Sequence, residues 1–210
     1  MKHSFIAVIT AACLATAACN NSQSTSNHEG HEMATGTTDT MPHSSPSDVK
    51  DIKTISAAFT SVDAKASASI REIVDHYLHI KNALAGDNAS EAASGAKAME
   101  NAIGKLDKSL LTAEQKSAFD KDEAGLKEHA GAIAKNAADI KSQRSHFVAL
   151  SETVYELVKQ FGGGRPLYHD HCPMARDNQG AMWISEIKDV KNPYFGEKML
   201  TCGTVEEVIQ

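Results

Sequence analysis

The chain has 210 residues, enough for one ordinary domain plus extensions, and a formal net charge of −6. No stripe of Lys and Arg runs along it, which argues against nucleic acid as a partner, because phosphate binding relies on clustered cations. Aromatic content is low, at 5%, and alanine is abundant, a composition suited to helices that pack closely.

Lys2 and His3 precede an apolar run from Phe5 to Ala18, too short to span a bilayer. Ala17 and Ala18 lead into Cys19 and the polar pair Asn20-Asn21. Residues 1–19 resemble a bacterial lipoprotein signal, with Cys19 as the lipidated residue, although Thr16 stands where such signals carry a larger aliphatic side chain. The alternative is an ordinary signal peptide cut near Ala18. Both readings export the protein, to the periplasm or cell envelope, and the first anchors it to a membrane by lipid.

Residues 20–48 read as a flexible linker, rich in Ser, Thr, Asn, Gly and Pro and without apolar periodicity. His28, His31 and Met33 lie within it and are weak metal-ligand candidates. The domain proper is expected over 49–210. At its start Ile52, Ile55, Phe59 and Val62 suit one side of a short helix.

Four amphipathic helices follow. The first is expected over about 70–85, from a Ser69/Glu72 capping-box pattern to the stop at Gly86, with Ile70, Ile73, Val74, Tyr77, Leu78 and Leu84 on one face. The second covers about 89–106, capped by Asp87 or Asn88. The third starts after Thr112, with Gln115 completing a capping box, and runs to about Ala137. The fourth follows Asp139 and ends at Gly162-Gly163-Gly164. Short connections favour an antiparallel up-down arrangement. The expected fold is therefore all-α: an antiparallel four-helix bundle over about 67–162, with an irregular metal-binding tail over 163–210 packed on it. Trp183, Ile184, Tyr194 and Phe195 are the apolar residues expected to pin that tail, and Thr204 with Glu207 suits the cap of a last helical turn.

The tail holds the most informative residues. Tyr168-His169-Asp170-His171-Cys172-Pro173-Met174 is answered by Met199-Leu200-Thr201-Cys202-Gly203. Thiolate and thioether ligands select soft ions, which makes Cu(I) or Ag(I) the leading cargo. In an extended backbone Cys172 and Met174 project to one side. Met199 and Cys202 are three apart, so a tight turn brings them together. Two such claws can close on one ion, with His171 and His169 as further ligands and His146 as a weaker one. Zinc is the alternative ion, but its structural sites gather four Cys or His ligands, often as close Cys pairs, and this chain has no C-x-x-C. A Cys172–Cys202 disulfide is the rival reading for an exported protein. His76 and His79 point away from the first helix's apolar stripe and read as surface residues. An enzyme is not expected: there is no redox C-x-x-C, nucleophile elbow or phosphate loop.

The strings YLHIKNAL (77–84), QRSHFVALSE (143–152), HCPMARDNQGAMWIS (171–185) and NPYFGEKMLTCG (192–203) resemble the domain-of-unknown-function 3347 family over about residues 65–210. The resemblance implies a small exported helical domain, often a lipoprotein and also fused to adaptor subunits of resistance-nodulation-division heavy-metal efflux pumps. It implies heavy-metal handling, with Cys172, Met174, Met199 and Cys202 at the family's sulfur positions. The function expected is copper or silver sequestration, or hand-off to such an efflux adaptor. The alternative is a structural docking module of an efflux assembly, closed by the Cys172–Cys202 disulfide.

Overall fold

The computed structural model describes residues 52–210. Cys19, His28, His31 and Met33, with the expected signal and linker, lie outside the described residues. Among those described, no helix is long and apolar enough to cross a membrane.

Four long helices form as the periodicity requires: α1 (Ala64–Ala85), α2 (Ala89–Lys105), α3 (Ala113–Lys135) and α4 (Ile140–Phe161). Their starts are set by side chains that accept from the otherwise unpaired first-turn amides. Thr112 and Gln115 form the full capping box on α3, Asn88 accepts from Glu91 N on α2, and Asp139 accepts from Ser142 N on α4. The cap of α1 is a correction. Asp63, not Ser69, accepts from Lys65 N and Ala66 N. The alanine-rich stretch 64–68 has high helix propensity and carries the helix back to that carboxylate.

The apolar stripes meet in one core. Ile70, Ile73, Val74, Tyr77, Leu78 and Leu84 of α1 are buried with Ala92, Ala96, Met99 and Ile103 of α2. Phe119, Leu126, Ala130 and Ile133 of α3 and Phe147, Leu150, Val154, Leu157 and Val158 of α4 complete it.

The all-α expectation fails at the tail, and the protein is a mostly helical domain with a mixed four-stranded sheet. The strands are β1 (Lys53–Ile55), β2 (Leu167–Cys172), β3 (Ala181–Ser185) and β4 (Thr204–Ile209), in the order β1-β4-β2-β3. β2 pairs antiparallel with β3 and β4, and β1 lies parallel to β4. The segment expected as a short helix at 52–62 is thus strand followed by coil. The expected last helical turn at Thr204–Glu207 is also strand. Val205, Val208 and Ile209 are β-branched and fit a pleated surface better than a helix.

The turn after α4 aims β2. Gly162 and Gly164 both take left-handed φ values, +73° and +71°, which any Cβ would disfavour. The outer edge of β3 lies against α1, where Tyr77 Oη accepts from Ile184 N at 3.0 Å and meets Ser151 Oγ of α4 at 2.8 Å. Arg144 of α4 holds the following loop. Its Nε donates to Pro193 O at 2.7 Å, and its Nη2 donates to Leu84 O at 2.8 Å and to Asp87 Oδ1 at 2.6 Å. Asp87 Oδ2 in turn accepts from Glu197 N at 3.0 Å.

Candidate metal centre

Cys172 is the last residue of β2 and is buried. Pro173 cannot donate to the ladder, so the strand stops there and the chain turns outward. Met174 takes helical backbone angles and is 47% exposed. The claw expected of Cys172 and Met174 in an extended strand does not form, because extension ends between them.

Cys202 arrives from the other side. Its N–H donates to Met199 O at 3.0 Å, closing the tight turn expected of that pair. Asn192, fully buried, organises this loop. Its Nδ2 donates to Cys202 O at 2.7 Å, while its Oδ1 accepts from Tyr194 N at 2.8 Å and Phe195 N at 3.2 Å. Tyr194 Oη donates to Met182 O at 2.6 Å, tying the loop to β3. Nothing in the residue pattern gave Asn192 this role. The signal available was Asn192-Pro193, a turn dipeptide whose Asn side chain bonds backbone amides just ahead of it.

The result is that Cys172 Sγ and Cys202 Sγ face each other at 2.7 Å, both as free thiols. The Cys172 thiol, and then burial, push the Cys202 thiol up to about 11. The Cys202 thiol holds its proton at neutral pH, and a metal ion or an oxidant must displace it.

The histidines do not join the thiols. Neighbouring residues of a strand face opposite sides, and across the β2–β3 ladder His171 pairs with Met182 while Cys172 pairs with Ala181. His171 packs over Gly180 with Nδ1 3.4 Å from Glu206 Oε1. His169 stacks on Tyr155 with ring centroids 4.5 Å apart, and desolvation lowers its pKa, which keeps it neutral. His146 also turns from the tail, and its ring lies against His129 of α3. His76 and His79 are partly exposed on α1.

Asp170 stands between His169 and His171 in the sequence. It is fully buried on the Cys172 side of β2, directly across from Trp183. Neither carboxylate oxygen has a hydrogen-bond partner, and neither does Trp183 Nε1. Desolvation pushes Asp170 up to about 7 against the attraction of buried Lys81. Lys81 reaches Ser185 Oγ at 3.3 Å and Glu186 Oε2 at 3.0 Å.

The family described as "Protein of unknown function (DUF3347)" matches residues 73–165. Those residues belong to the DUF3347 family. The DUF3347 match takes in most of α1 and all of α2, α3 and α4, and stops before β2. Cys172 therefore lies on the sheet that follows the DUF3347 segment, and Asn192 and Cys202 lie in the loop between its strands β3 and β4. No curated protein and no solved structure matches the chain.

Proposed function

We propose that this protein is an exported soft-metal-binding protein that carries Cu(I) or Ag(I) on Cys172 and Cys202, for sequestration or transfer to an efflux adaptor. The observation that supports it is the meeting of two thiols 30 positions apart, each placed by its own backbone device. The donor set fits a soft ion. Among the described residues no group of three or more His, Cys, Asp or Glu converges as a metal-holding cluster, so zinc finds no four-ligand cage. Cu(I) prefers thiolate and thioether sulfur.

For both sulfurs to hold one ion at about 2.3 Å they must part from 2.7 Å to roughly 4 Å. Gly203, directly after Cys202, lets the loop give way there. Exposed Met174 offers a thioether at the surface for entry and release by ligand exchange. Binding expels thiol protons, so affinity falls as pH falls. Anchoring through Cys19 would hold the protein at the membrane beside such an adaptor.

A second reading has its own support. The 2.7 Å approach suits a disulfide without loop movement, and the domain then serves as a docking module of an efflux assembly. One experiment separates the two. The reduced chain is titrated with Cu(I) against a coloured chelator, alongside Cys172→Ser and Cys202→Ser. The metal reading expects one ion per chain and about a hundredfold weaker binding in each variant, near 2.8 kcal/mol. Absence of stoichiometric binding, or unchanged binding in both variants, overturns it. A protein isolated without reductant whose mass is lower by two hydrogens favours the docking module.

A further inference from the structure

His129 of α3 and His146 of α4 meet across the helix pair, with ring centroids 5.7 Å apart and ring planes 36° from parallel. His129 Nδ1 is buried and has no hydrogen-bond partner. A buried ring nitrogen left unpaired is uncommon, because its desolvation is uncompensated, and one resolution is an ion. The helices approach closely here. A Cβ built on Gly125, one turn before His129, would lie 3.2 Å from Thr153 Oγ1 of α4.

We propose that His129 and His146 form a second metal site, a two-imidazole clamp for a borderline divalent cation such as Ni2+, Cu2+ or Zn2+. Imidazole nitrogen suits these ions, which take up the remaining coordination positions with water. The spacing agrees. With nitrogen at about 2.0–2.1 Å from the ion, each ring centroid sits roughly 3.2 Å from it. Two such rings are about 4.5 Å apart at the right angle Ni2+ and Cu2+ prefer, about 5.2 Å apart at the tetrahedral angle of Zn2+, and about 6.4 Å apart on a line. The observed 5.7 Å falls between these limits. The site stands on α3 and α4 and shares no residue with Cys172 and Cys202, so it holds whether or not the thiols carry copper. Clamping the two helices stabilises the folded state by mass action.

The test is thermal unfolding of the full chain with Ni2+ as the probe. At Ni2+ about ten times the dissociation constant, the midpoint rises by about 3–6 °C. His129→Gln and His146→Gln each lose most of that rise, and His76→Gln keeps it. Substoichiometric Ni2+ also broadens two histidine ring-proton signals of the wild-type chain together, identified by their absence from the variants. This second readout stands even if a variant folds poorly. A rise that survives either clamp substitution, or broadening confined to other histidines, overturns the site.

Discussion

Both carboxylate oxygens of Asp170 are buried, the Trp183 indole N–H is too poorly placed to compensate them, and desolvation lifts the pKa from 3.8 to about 7. Lys81, Glu186 and Trp183 are the polar groups around it. The sign of its effect follows. Between 3.8 and about 7 the folded chain keeps a proton that the unfolded chain has lost. Asp170 is therefore best tolerated at low pH, and its cost grows as pH rises from about 4 to about 7 and levels off above that. Asp170→Asn removes the charge and leaves the shape. Relative to wild type, the variant is expected to gain roughly 1–3 kcal/mol between pH 5 and pH 8 in urea unfolding. Parallel stability profiles for the two proteins would show that the carboxylate is solvated or paired in solution. No residue pattern reveals this environment, since the same Asp in His-Asp-His on a solvent-facing strand would titrate normally.

At the scale of elements, the helices were legible and the strands were not. Thr112 with Gln115, Asn88 and Asp139 announce helix starts through local chemistry, and Gly162 announces a stop. The strands are three to six residues long and depend on partners far away in the chain. Lys53 of β1 pairs with Glu207 of β4, a pairing that periodicity over a short window cannot see. The exposed edge of β3 poses a related problem that α1 solves. Tyr77, readable only as one more apolar-stripe residue, caps Ile184 N and reaches Ser151. Tyr77→Phe leaves that buried amide unpaired, at a cost of roughly 1–3 kcal/mol. The thermal midpoint should then fall by several degrees. An unchanged midpoint would mean that the edge amide finds another partner.

Across the whole molecule the bundle is a mount for a short, tightly bonded sheet. Arg144 and Asp87 lock the 193–197 loop to α1 and α4, and Asn192 carries that order to Cys202. The chain's sulfur pattern pointed to Cys172 and Cys202, and the fold brings these two thiols together. Of the two expected claws with flanking histidines, the two thiols are the groups in contact, and Met174 stands exposed at the surface. Pro173 ends β2 before Met174, and strand alternation turns His169 and His171 to the other face. Cys172 and Cys202 are then the two groups proposed to hold a soft ion. X-ray absorption at the copper edge tests this proposal most directly, on reduced full-length chain loaded with one equivalent of Cu(I). A first shell of sulfur alone, at about 2.3 Å, is expected. A first shell dominated by nitrogen or oxygen near 2.0 Å would contradict it.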